Sequence, residues 1–205
     1  MGVKVMFIYP NFKGMNMLPP GVALLSAVLK RGGHEVKLFD TTHYDSIEGR
    51  DTDSDESKAD RLMARPFKMP KTVQLKTSNC FVDFENEVAA FGPDLLALSS
   101  TEDTWELGIK LLRKVRYKNI LTIAGGVFPT FAPKLALSFP EIDLLCKGEG
   151  EEALLKLCDC LSKGSSYDDI SNLWIKKTDG STKINPTHMV DMDANPLIDM
   201  SIFEE

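Results

Sequence analysis

Two glycine-rich turns stand out as places where this chain could hold a ligand. The first, Gly125-Gly126-Val127-Phe128-Pro129-Thr130, follows the apolar run Ile120-Leu121-Thr122-Ile123-Ala124 and precedes a helical pattern. The second, Lys147-Gly148-Glu149-Gly150-Glu151, follows a further apolar run and opens another helix. Glycine removes the Cβ from the carboxyl end of a buried strand, and that end is where open α/β sheets bind ligands. The two turns together predict the floor of a pocket.

The elements that must position these turns alternate between strand and helix. Residues 3–9 form a near-continuous apolar strand, and Pro19-Pro20 leads a helix carrying Val22, Leu25, Ala27, Val28 and Leu29 that Gly32-Gly33 ends. Residues 35–40 alternate as a second strand. A helix is expected over 81–91, strands over 95–99, 120–124 and 142–146, and helices over 106–115, 129–137 and 151–161. Short apolar strands alternating with helices predict an α/β fold, flavodoxin-like (Rossmann-like), with a five-stranded parallel sheet and helices on both faces. Asp179-Gly180, flanked by residues 173–177 and 182–184, signals a carboxyl-terminal β-hairpin. The expected division is an α/β domain over 1–165 with an insertion over about 41–79, a hairpin over 166–188 and a linker over 189–205. The insertion is rich in Asp, Ser and Glu, then basic, and lacks apolar periodicity, so it reads as a partly flexible, solvated surface.

With 205 residues, 43% hydrophobic and 26% charged, the chain has enough apolar material for one domain of about 150 residues plus appendages. A formal charge of -6 with no Lys/Arg stripe argues against nucleic acid as a partner. No apolar run approaches the roughly 20 residues of a membrane span, and residues 1–10 lack the basic start of a secretory leader, so a cytoplasmic protein is expected. Cys80, Cys146, Cys158 and Cys160 have neither iron–sulfur nor zinc spacing and are expected to be reduced and mostly buried. No metal ligand set is expected.

The loop after the first strand narrows the ligand class. Residues 10–18 lack the three-glycine turn of dinucleotide binders and the glycine-lysine-hydroxyl ending of a P-loop, so NAD and ATP fit poorly. Residues 11–17 contain no Ser or Thr, unlike the phosphate loop of flavodoxins, and a phosphoacceptor domain needs acids where this chain has Asn11 and Ser99. Asp40 reads as a strand-end residue.

Pro19-Pro20-Gly21, Gly32-Gly33-His34-Glu35-Val36 with Asp40, Ser99-Ser100-Thr101 and the two glycine turns occur in an order that resembles one family. It is the amino-terminal cobalamin-binding (vitamin B12) domain of the cobalamin-dependent radical S-adenosylmethionine enzymes. The resemblance covers residues 3–161 and extends weakly through Asp193-Ala194-Asn195-Pro196 and residues 199–203, which look like a bridge into a catalytic barrel. It implies a corrinoid held across the carboxyl ends of the strands, its nucleotide tail in the crevice. The implied contacts are Gly125, Gly126, Val127 and Phe128, the hydroxyls of Ser99, Ser100, Thr101 and Thr130, and the loop Gly148, Glu149 and Gly150. Asn11, Phe12 and Met15 to Met17 are expected to line the lower face of the corrin.

Two departures qualify what the resemblance implies. Cobalamin domains of mutases and methionine synthase place a histidine in an Asp-x-His-x-x-Gly motif after strand one, but residues 11–14 contain none, so cobalamin without a histidine lower ligand is expected. His34 is expected to be structural, and His43 and His188 are poorly placed. The Cys-x-x-x-Cys-x-x-Cys motif of a four-iron four-sulfur cluster is also absent. The implied function is a cobalamin-binding module for methyl transfer or related radical chemistry. The iron–sulfur cluster and S-adenosylmethionine would belong to a catalytic radical domain, in cis or in trans, that this chain lacks. A non-catalytic flavodoxin-like sensor or interaction domain and a small flavoprotein stay open as alternatives.

Overall fold

The computed structural model describes residues 2–13, 18–47 and 74–204. Residues 48–73 of the expected insertion, and Met15 to Met17, lie outside the described residues. Strands β1 (Lys4–Tyr9), β2 (Glu35–Asp40), β3 (Leu95–Ser99), β4 (Leu121–Gly125) and β5 (Leu144–Cys146) run parallel. Strands β6 (Leu173–Lys176) and β7 (Thr182–Ile184) continue the same sheet antiparallel, in the order β2-β1-β3-β4-β5-β6-β7.

The sheet therefore has seven strands, not five. The hairpin read as an appendage pairs its first strand with β5, matching Leu145 to Trp174 and covering what would be a bare edge of buried apolar residues. The first five strands keep the flavodoxin-like order 2-1-3-4-5, whose reversal between β1 and β3 makes a crevice at the carboxyl ends.

Helix α1 (Pro20–Arg31) has proline in its first turn and Gly32 as its C-cap. Asn79 caps α2 (Cys80–Phe91), its side chain accepting from the Phe81 and Val82 amides. Helix α3 (Glu102–Val115) starts four residues before the apolar pattern predicts. The Thr101 amide donates to Thr104 Oγ1 at 3.2 Å, and Glu102 and Asp103 favour the positive helix end. The single helix expected over 129–137 is two, α4 (Val127–Phe131) and α5 (Pro133–Ser138). Pro133 forces Ala132 out of helical geometry, to φ -123° and ψ 52°. Helix α6 (Glu151–Lys163) ends on Gly164 at φ 63°.

Strand side chains alternate between two cores. Met6, Ile8, Leu96, Leu98, Ala124 and Leu145 meet α2, α3 and α5 in one, while Val5, Phe7, Leu95, Ala97, Ile123 and Cys146 meet α1 and α6 in the other. This period of two decides which strand-end residues face which wall. No helix among the described residues is long and apolar enough to cross a membrane. All four cysteines are free, and three of them are buried.

Candidate functional site: a glycine-walled cleft

On the α1/α6 face the core stops short of the strand ends. Ala97 and Gly125 present little or no side chain there, and Phe7, Ser99, Ile123, Cys146, Leu25 of α1 and Leu154 of α6 complete the walls of an open cleft. Gly126, Gly148 and Gly150 also line it. The wall is mostly apolar, with the Ser99 hydroxyl and glycine backbone as its polar groups, a composition suited to one bulky organic ligand.

The glycines do different jobs. Gly126 sits at φ 96°, and a Cβ there would lie 2.9 Å from the Ser100 carbonyl oxygen and 3.0 Å from its nitrogen. Any side chain would strain the backbone and push the two strand-end turns apart. A Cβ on Gly125 would meet nothing nearer than Cys146 Cβ at 3.9 Å, so it would only occupy ligand space. Gly148, at φ 87°, donates its amide to Thr130 Oγ1 at 3.2 Å, tying the two glycine turns together.

The structure thus brings Ser99, Gly125, Gly126, Gly148 and Gly150 into one cleft, with Val127 exposed beside it. Ser100 is 3% exposed, and its Oγ has no hydrogen-bond partner among the described residues, while its carbonyl accepts from the Phe128 amide at 3.3 Å. Thr101 caps α3, and Thr130 is engaged by Gly148. Phe128 packs on Trp105, ring centroids 4.8 Å apart, on the opposite face of the sheet.

Asn11 and Phe12 are buried rather than displayed. The Asn11 amide donates to Thr41 Oγ1 at 2.7 Å, and its Nδ2 to Thr42 Oγ1 at 2.8 Å. Asp40, as expected of a strand-end residue, accepts from the Thr42 amide at 2.8 Å. These bonds lock the loop after β1 to the end of β2 and fix the direction in which that loop leaves the sheet.

Glu149 is held from outside the cleft. Its carboxylate accepts from the Val190 amide at 2.6 Å, and its carbonyl accepts from Asn172 Nδ2 at 2.7 Å. Sequence reasoning passed over Asn172, which is 3% exposed and adopts φ 69°. Its signal was thin, an asparagine before an apolar strand, although asparagine tolerates the left-handed region better than most residues.

Burial, and after it the Glu151 carboxylate, push the Cys146 thiol up to about 12. It is a neutral thiol at physiological pH, a small apolar wall group and not a thiolate ligand. His34 Nδ1 accepts from the Val3 amide at 3.1 Å at the amino end of the sheet, far from the cleft in the strand direction.

Residues 72–157, which include both glycine turns, match the B12 binding domain family. The chain is 25% identical over 171 residues to cytidylyl-2-hydroxyethylphosphonate methyltransferase of Streptomyces wedmorensis, spanning 82% of this chain and 29% of that protein. It is 30% identical over 102 residues to an uncharacterized methyltransferase of Pyrococcus horikoshii, 47% of this chain and 22% of the relative. Among solved structures it is similar to the cobalamin-dependent S-adenosylmethionine radical enzyme OxsB with aqua-cobalamin bound, with TM-score 0.71, 18% identity, and 98% of this chain and 24% of that one covered. It is likewise similar to the radical S-adenosylmethionine methyltransferase TsrM from Kitasatospora setae with cobalamin and a [4Fe-4S] cluster bound, at TM-score 0.67 and 16% identity, covering 96% of this chain and 31% of that one. The chain therefore spans less than a third of the length of each of these relatives; its residues 72–157 match the B12 binding domain family, and its fold is similar to that of the cobalamin-dependent radical S-adenosylmethionine enzymes.

Proposed function

We propose that the glycine-walled cleft receives the nucleotide tail of cobalamin, with the corrin ring lying across the carboxyl ends of β1, β3, β4 and β5. The observation that carries this reading is Gly125. It stands at the mouth of an open cleft where a side chain would fill space and meet no protein atom within 3.9 Å. The Ser99 hydroxyl supplies a hydrogen-bonding group in the same cleft. Leu25, Ile123 and Leu154 would hold the apolar part of the tail out of water.

When bound, cobalamin supplies the cobalt chemistry of methyl transfer or radical reactions, and the protein supplies position and exclusion of water. No histidine from this chain is proposed as lower ligand. His34 lies at the amino end of the sheet and His188 is pinned through its backbone to Asn172. His43 sits in a separate depression with Lys37, Asp40 and Glu87. The loop after β1, anchored through Asn11, is assigned to the lower face of the corrin.

The reaction is assigned to a separate radical S-adenosylmethionine domain. The small share of the relatives' length that this chain spans supports it. So do the exposed apolar side chains Val127, Phe131 and Leu135, at 57%, 84% and 56% exposure, on the two short helices that follow Gly126. A reducing compartment, the cytoplasm, accords with four free thiols.

The test is ultraviolet-visible spectroscopy of the protein after incubation with hydroxocobalamin or FMN and desalting. A retained corrin spectrum is expected. A retained flavin spectrum, or none, overturns the reading in favour of a flavoprotein or of a sensor with a vestigial pocket.

A further inference from the structure

Residues 186–203 leave β7 and cross both walls of the cleft on its outer side. At one wall, the Asn172 amide donates to the Pro186 carbonyl at 3.0 Å, Asn172 Nδ2 donates to the His188 carbonyl at 3.0 Å, and Asn172 Oδ1 accepts from the His188 amide. The same Nδ2 reaches the Glu149 carbonyl, and the Lys147 amide donates to the Asn172 carbonyl at 2.9 Å. One buried side chain thus joins the glycine loop 147–150 to the departing chain. Glu149 makes a second join, through the Val190 amide.

At the other wall, Asp199 grips α1. Its Oδ2 lies 2.7 Å from Lys30 Nζ and accepts from Ser26 Oγ at 2.6 Å, and its amide donates to the Ala23 carbonyl at 3.0 Å. Arg31 donates to the Ala194 carbonyl at 3.0 Å, and Ile202 is 4% exposed beneath the segment. Leu25, between Ala23 and Ser26 on the same helix, is a wall residue of the cleft. The segment is a strap with one end on the glycine loop and the other on α1.

We propose that Asn172 and Asp199 are positioning residues for the cleft: through the strap they fix the distance between the loop 147–150 and α1, and so the grip on the ligand. The choice of corrinoid as that ligand rests on the function proposed above. The strap itself does not. A carboxylate at Asp199 is a costly choice for a mere connector, because it must be desolvated beside a helix.

The test uses the full chain and two variants, Asp199→Ala and Asn172→Gly, the latter keeping the backbone conformation and removing the clamp. Cys146 Sγ lines the cleft and donates to the Glu149 carbonyl at 3.6 Å, so its alkylation by iodoacetamide reports opening without any ligand. Peptide mass mapping separates it from Cys80 and Cys158, which are buried residues of α2 and α6. Cys146 is expected to react about tenfold faster in both variants, with Cys80 and Cys158 unchanged. Dissociation of hydroxocobalamin should accelerate by a similar factor. An unchanged Cys146 rate overturns the proposal, and so does equal acceleration of all three thiols, which reports general loosening. If the parent protein retains no corrinoid, the cofactor reading fails, and the thiol rates decide the strap independently.

Discussion

The two faces of the sheet are built from one alternating pattern and end in opposite ways. On the α2/α3 face the strand ends are sealed by aromatic rings: Phe39 against Phe84 at 4.9 Å, Trp105 against Phe128 at 4.8 Å and against Phe139 at 5.5 Å. On the α1/α6 face the equivalent level carries Ala97, Gly125 and Gly150, and a cleft opens. The register puts Leu98 beside Ala124 and Ser99 beside Gly125, so neighbouring residues on the same two strands serve a sealed core and an open site. A ligand cleft in this fold is made by withholding side chains from one face while packing the other. The packed face bears the stability that the open one forgoes.

The comparison breaks first, and hardest, at the sealed face. Trp105→Ala should cost about 3–5 kcal/mol of stability, because a buried indole with two ring partners leaves a cavity that its neighbours cannot fill. Chemical denaturation measures this, and a loss under about 1 kcal/mol would mean that the aromatic seal is not what holds that face. Gly126→Val comes next. Its Cβ would sit 2.9 Å from a carbonyl oxygen at φ 96°, so corrinoid retention is expected to fall on the order of 100-fold, equivalent to about 2.7 kcal/mol. Difference spectra of titrated hydroxocobalamin measure it, with circular dichroism confirming the fold.

The sharpest contrast is between neighbours. Ala124→Val overfills the packed face and should cost about 1–3 kcal/mol of stability without altering ligand affinity in the molecules that stay folded. Gly125→Val fills the cleft and should weaken retention about tenfold, some 1.4 kcal/mol, with stability nearly unchanged. Equal effects of the two on both measurements would erase the distinction between faces.

The smallest effect is on the strap. Burial pushes the Asp199 carboxyl upward, but hydrogen bonds from Lys30, Ser201 and Ser26 and the charge of Lys30 outweigh it, holding it well below the usual carboxylate range. A carboxyl depressed in the folded state stabilises that state above its ordinary value of 3.8, and the contribution fades as pH falls below that value. The protection factors of the residue 199–203 amides, taken relative to the intrinsic exchange rate at each pH, should therefore fall in acid below about pH 4, and Asp199→Asn should remove that dependence.

Much of the frame was legible in the residues themselves. Apolar runs marked β1 and β3 to within a residue, because strands buried on both faces have no polar positions to blur their limits. Gly125, Gly126, Gly148 and Gly150 were legible as a floor because each stands just past such a run. The sealing role of Phe128 was not legible. Its neighbours Val127 and Thr130 leave the same short helix in other directions, and only the placement of Trp105 decides which of them turns inward. Asn11 has a similar history, since Thr41 and Thr42, which bury it, are 30 and 31 residues away in the chain.

Local chemistry thus determined the alternation of the strands, the helix limits at Pro20 and Gly164, and the glycines that cannot seal one face. Periodicity and backbone preference act over a few residues, and the sequence states them directly. Tertiary structure alone decided that β6 joins β5, that Asn172 clamps the glycine loop, and that Asp199 returns to α1. Those contacts form between segments 23 to 173 residues apart, where partner choice depends on which buried groups remain unsatisfied once the strands have assembled.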